Sequence, residues 1–591
     1  MHHIRYFLLL ILCSFGGSSV LYCQHVFNVD LNDRTGDTFK VTLFPEPLSA
    51  SNNIFQFAST APGTYEVMDI GRFVRDFKAF DRSGNEITTE HSSTNEWTIS
   101  RPPEVARITY AVADLWDTKP AEHPVYPMAS TLLSDDFAML NGQAIFGYFA
   151  GMQTEPIKIK LSFPSEWVVG TALNPDSDGY YRADDFDNVV DSPFFLGKLS
   201  TAKAMVGNTT IDVYTFSRTG LITSDKMLSS LNGLLKAESE FTRGLPVNRY
   251  VFLFYFGNSG AGAWEHSYSS EYVLKEDTLT PAYAASIASI IAHEFFHVNI
   301  PLNLHSELVE HFNFVKPVMS RHLWLYEGTT EWAAFMLQLR GHLMTLTQYL
   351  QALQSKFIVA DNFDQNVSLT DLGVHATEMQ DQYPDIYQKG ALVSTMLDIR
   401  LLQLSHGKSG LRELILQLSK EYGKKHAFSE EDFFDKLVEM TYPEIRDFID
   451  RYIKGTDRLP AQEYFNWLGI DYSEKGTVDS SKSSLRVGIR FVDTSLVVTE
   501  VLDGSQSGLL KGDIVESIDG TPVTPETASL LTAKIVGMRL GSTVKLTVKR
   551  ADKDIDVVSI LTPRLIRHTL SVNPNPSAEQ QALRESWMNN M

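Results

Sequence analysis

From residue 25 to about 199 the apolar positions recur with a period of two. HVFNVDL (25–31), FKVTLF (39–44), NIFQFAS (53–59), ARITYAV (106–112), IKIKLSF (157–163) and EWVVGTAL (166–173) alternate apolar with polar side chains or cluster β-branched ones. That is the pattern of strands with one buried face. Turn formers separate them, such as Asp81-Arg82-Ser83-Gly84 and the stretch Pro175 to Gly179. The spacing predicts a β-sandwich-like domain over 24–199. From about 220 the period becomes helical. MLSSLNGLLKAESEF (227–241) carries one apolar face, and the unbroken apolar run RYVFLFYFG (249–257) predicts a buried strand. Thr280 as N-cap and Pro281 in the first turn then open a helix through AYAASIASIIAHEFFHV (282–298). Helical patterns continue to about 465, giving a mainly helical domain over 200–470. The polar, Ser-rich stretch 471–484 reads as a linker, strand patterns return over 485–565, and 566–591 reads as a loose polar tail. The fold class expected is a multidomain α+β protein.

Composition changes this picture only by exclusion. The 591 residues are too many for one core. Hydrophobic residues at 43% and charged ones at 21% exclude general disorder, coiled coil and collagen. A formal net charge of −21 would repel a polyanion, so no nucleic-acid partner is expected. The only cysteines are Cys13 and Cys23, so any metal site in the body of the chain must use His, Asp and Glu. Arg5 and the apolar run Tyr6 to Cys13, too short to span a bilayer, read as a secretory signal peptide over 1–23. That implies export to the periplasm or the medium. Acylation of Cys23 is the competing reading, with the bulky Tyr22 against it. No later stretch reads as a transmembrane segment.

The sharpest chemical signal is His293-Glu294-Phe295-Phe296-His297. On a helix, positions i and i+4 share a face, so the two imidazoles can bind one metal ion with Glu294 beside them as general base. A catalytic zinc takes three protein ligands and keeps one position open. Glu327, in the apolar segment LWLYEGTTEW between Trp324 and Trp332, is the best third ligand. Glu331, four residues on, shares that face. It could orient a zinc histidine from behind, or be a solvated surface residue.

With these residues in place, the sequence resembles the glycyl aminopeptidase family of zinc metallopeptidases, a thermolysin-like group whose third ligand is a glutamate. The resemblance rests on four motifs. Trp324-Leu325-Tyr326-Glu327-Gly328-Thr329-Thr330 matches W-L-x-E-G-x-T, with 29 residues between His297 and Glu327. Gly262-Ala263-Trp264-Glu265-His266 is similar to the G-x-x-E-H strand. Tyr387-Gln388-Lys389-Gly390 is similar to Y-x-K-G, and Ala61-Pro62-Gly63-Thr64-Tyr65 to the P-G-x-Y turn of the β-domain. Val298-Asn299 departs from the Thr-Trp pair that relatives often carry after the second histidine. The resemblance implies one zinc per chain on His293, His297 and Glu327, with Glu294 as base. It also implies Tyr387 as oxyanion donor, and a substrate strand at Gly262, Ala263 and Glu265, where Glu265 holds a free amino group.

Near the C-terminus, the run from Gly508 to Gly520, GLLKGDIVESIDG, looks like the core of a bacterial PDZ domain over 485–565, with Leu485 to Ile489 as its carboxylate-binding loop. Such a domain takes a peptide or chain terminus by strand addition. The resulting expectation is a zinc aminopeptidase that removes small N-terminal residues such as Gly or Ala from peptides. Two rivals stand beside it: a zinc endopeptidase whose PDZ domain recruits substrates, and a non-catalytic binding protein on the same fold.

Overall fold

The alternation of HVFNVDL and FKVTLF becomes two adjacent strands, His25–Asp30 and Thr38–Phe44, each burying every second side chain. They lie inside a seven-stranded sheet that continues through Arg107–Ala113 and Val74–Phe80. In this computed structural model the described residues are 24–116, 123, 125–260, 262–475, 477–492 and 494–591. The signal-peptide reading of 1–23, with Cys13 and Cys23, lies outside them. A four-stranded sheet containing Ile54–Gln56 and Glu96–Ile99 faces the first. Between the two, Phe55 and Phe57 pack against Phe77 and Tyr110 at ring distances of 5.5 and 5.3 Å. The sandwich-like reading therefore describes this region.

The buried strand Arg249–Gly257 is apolar on both faces because it is covered on both. Tyr250, Phe252, Phe254 and Phe256 point into the helical core. Val251 and Leu253 pack against Leu132, Phe137, Met139 and Phe195 of the N-terminal region. Its five-stranded sheet runs in the order Ser200–Val206, Thr209–Ser217, Arg249–Gly257, Ser269–Lys275, Gly262–Glu265. The last of these is the edge strand, antiparallel to its neighbour. The histidine-bearing helix, Pro281–Phe296, starts as the sequence predicts: the Thr280 hydroxyl accepts from the Tyr283 amide at 3.2 Å. No helix among the described residues is long and apolar enough to cross a membrane.

Two expectations differ from the structure. The stretch 471–484 is not a free linker. Ile470–Ser473 pairs with Thr569–Val572, and Thr477–Ser484 pairs with Thr562–Ile566. The stretch 566–591 is not loose. After that returning strand comes a helix, Ala578–Asn589, whose Trp587 is fully buried in the helical core. The PDZ region is thus tethered at both ends to the domain that precedes it. Within it, Val487–Val492 is an edge strand of the sheet. Arg490 of that strand donates to the Asp381 carbonyl and stacks over Phe363 at 5.1 Å, while Thr499 donates to Asn362 at 2.8 Å.

Candidate metal centre

His293 lies one turn from the end of its helix, and His297 is the residue that caps it, still with helical φ and ψ of −57° and −21°. Their rings sit 4.7 Å apart. Glu327 comes from a widened helical turn, Trp324–Thr329, that leads into the helix Thr330–Arg340. The two glycines that follow motif residues explain how Glu327 and Tyr387 converge. A Cβ on Gly328 would lie 2.6 Å from the Gly390 Cα, so the two helical segments touch at bare backbone.

The donor atoms of His293, His297 and Glu327 lie within 4.8 Å of one another. Glu327 Oε2 stands 3.3 Å from His293 Nε2 and 3.5 Å from His297 Nε2. Ligands about 2.0–2.1 Å from a tetrahedral zinc would be about 3.3 Å apart, so the spacing fits that ion. The tautomers fit as well. His293 Nδ1 donates to Glu331 Oε2 at 2.9 Å, and His297 Nδ1 donates to the Ile300 carbonyl at 2.8 Å. Both Nε2 lone pairs are then left facing Glu327, the arrangement that orients metal-bound imidazoles. Two imidazole nitrogens and a carboxylate oxygen, buried and converging on one point, form a donor set that suits a cation. Lys356 donates to the other oxygen of Glu331 and, after the cost of burial, its charge holds that carboxyl down to about 2.

These groups open onto a cavity of about 410 Å³ shared by the two domains. Gly63, Thr64, Tyr126, Met128 and Ala129 come to it from the N-terminal domain. Glu294 and Glu265 line it, and burial pushes their carboxyls up to about 7 and about 8. Glu265 ends the edge strand, next to the Pro62–Tyr65 turn: a Cβ on Gly63 would lie 2.6 Å from its Oε1. Tyr387 lines the cavity with its ring 5.6 Å from that of His293. Ala263 also lines it. Gly262 does not; at φ +128° it abuts Met128.

Sequence reasoning gave no role to three residues found here. Tyr383 shares a 2.8 Å hydrogen bond with Tyr387, and its i, i+4 spacing was a usable signal. Tyr65 donates to Glu327 Oε1 at 2.8 Å. Lys356 has no local signal at all.

The Peptidase M61 N-terminal domain family matches residues 26–198, the M61 glycyl aminopeptidase family matches 286–393, and the PDZ domain family matches 484–560. Among solved structures, an aminopeptidase N family protein from Idiomarina loihiensis is similar at 21% identity and a TM-score of 0.77, over 96% of this chain and 100% of that one. Leukotriene A4 hydrolase from Saccharomyces cerevisiae also matches, at 13% identity and a TM-score of 0.43, over 76% of this chain and 70% of that one. Comparison with curated proteins found no match.

Proposed function

Since the chain belongs to the M61 glycyl aminopeptidase family of metallopeptidases, we propose that it is a zinc-dependent aminopeptidase removing N-terminal residues, small ones such as Gly or Ala, from peptides. His293, His297 and Glu327 would hold the ion. When bound, zinc supplies Lewis acidity toward a carbonyl and toward water. The chain's own residues do the rest. Glu294, open to the cavity one helical position from a ligand, takes the proton of the attacking water and passes it to the leaving amine. The Tyr387 hydroxyl donates to the oxyanion as it develops. The edge strand carrying Ala263 lays the substrate backbone along the cleft, and the PDZ edge strand Val487–Val492 takes a peptide by strand addition.

One observation carries the exopeptidase reading: the setting of Glu265. Its carboxyl is buried where the edge strand ends, and the like charges of Glu327 and Glu294 add to burial in disfavouring its ionisation, against the pull of His297. A substrate ammonium would satisfy it, and a peptide offers one only at its N-terminus. Such a charge-assisted hydrogen bond contributes about 1.5–3 kcal/mol, or roughly one to two powers of ten in specificity. Acetylating the amine of a short peptide should therefore lower kcat/KM by at least that factor, and Glu265→Gln should shrink the difference. Equal rates for free and acetylated peptide on the unaltered enzyme would favour an endopeptidase.

The zinc assignment is tested separately. One zinc per chain should copurify, and His297→Ala should lose it. A protein that is metal-free as purified and fully active in a strong chelator would end the zinc reading.

A further inference from the structure

The Pro62–Tyr65 turn reaches across from the N-terminal domain and touches the edge strand Gly262–Glu265 at one end and the candidate metal centre at the other. Trp264 Nε1 donates to the Pro62 carbonyl at 3.1 Å, and Gly63 lies against Glu265. At the other end Tyr65 adopts a left-handed backbone, φ 49°, which is disfavoured for a bulky residue and persists where surrounding contacts enforce it. Three contacts hold Tyr65 there. Gln380 Nε2 donates to the Tyr65 carbonyl at 3.1 Å, the Tyr65 ring packs 5.6 Å from that of Tyr383, and the hydroxyl donates to Glu327 Oε1 at 2.8 Å.

Glu327 has two oxygens, and the structure gives them different partners. Oε2 faces both histidine Nε2 atoms, and Oε1 faces Tyr65. We propose that Tyr65 is a positioning residue for the metal centre, through which the N-terminal domain fixes the rotation of Glu327 and leaves Oε2 as its one metal donor. The N-terminal domain is then part of the metal-binding unit rather than a separate module beside it. This rests on the metallopeptidase reading above.

The experiment is zinc affinity of the full chain, by competition with a chromogenic chelator, for the unaltered protein, Tyr65→Phe and Tyr383→Phe. Phenylalanine at 65 keeps the ring against Tyr383 and removes only the donor. The expected result is a zinc Kd raised about 10–100-fold in Tyr65→Phe, with the thermal transition of the metal-free protein unchanged. Tyr383→Phe, whose hydroxyl bonds to Tyr387 rather than to a ligand, should keep its zinc affinity. Affinity within twofold of the unaltered protein in Tyr65→Phe would overturn the proposal, and so would equal losses in both variants, which would assign the effect to ring packing. Absence of zinc binding by the unaltered protein would overturn the metallopeptidase reading itself.

Discussion

Glu294→Gln is expected to keep both the fold and the bound metal while turnover falls about 10²–10⁴-fold, the usual contribution of a general base. The side chain is half-buried and lines the cavity. Glutamine matches it in shape but cannot accept the proton of an attacking water. The effect should therefore fall on kcat at saturating substrate, with metal content per chain unchanged. Turnover near that of the unaltered enzyme would remove Glu294 from the reaction. Loss of metal together with activity would show that its role is structural.

The second large effect lies at a residue that does not line the cavity. Trp587 is fully buried, with its ring 5.4 Å from that of Tyr349. Its carbonyl accepts from Arg340 Nε at 3.0 Å. The same guanidinium donates to the Asn590 carbonyl and pairs with Asp398 at 2.8 Å, where both side chains are wholly inaccessible. Trp587→Ala leaves a cavity where the indole sat and should cost about 3–5 kcal/mol. For a domain of this size that is a transition roughly 6–20 °C lower. Deleting residues 578–591 should cost more, because it also strips two acceptors, the Trp587 and Asn590 carbonyls, from a buried arginine. A calorimetric transition unmoved by Trp587→Ala would mean that the helix merely rests on the surface.

The parts of this architecture that could be read from the sequence are those whose side chains carry the signal locally. The alternation of His25–Asp30, the continuous apolar run of Arg249–Gly257 and the i, i+4 histidines each follow from a period within a few residues. Thr477–Ser484, TVDSSKSS, gave no such signal. Its strand is held by backbone pairing with Thr562–Ile566, and most of its side chains are exposed. The helix Ala578–Asn589 is polar on most positions and buries one tryptophan, so periodicity missed it. Its start was nonetheless marked by Ser577 and Gln580, which form a reciprocal cap. Tyr65 was visible as part of a turn motif, but its contact with Glu327 spans 262 residues of sequence. No local pattern encodes such a contact.

The burial of Trp587 also sets an order of events in time. A ribosome delivers the N-terminal strands first, then the histidine and glutamate helices, then the PDZ region, and only afterwards Trp587. Until the PDZ region has emerged, Arg340 and Asp398 stand in a core that lacks its last wall. A nascent chain can therefore carry His293, His297 and Glu327 while its catalytic domain is still unfinished. Completion of the hydrolytic core is deferred until the PDZ region has been translated.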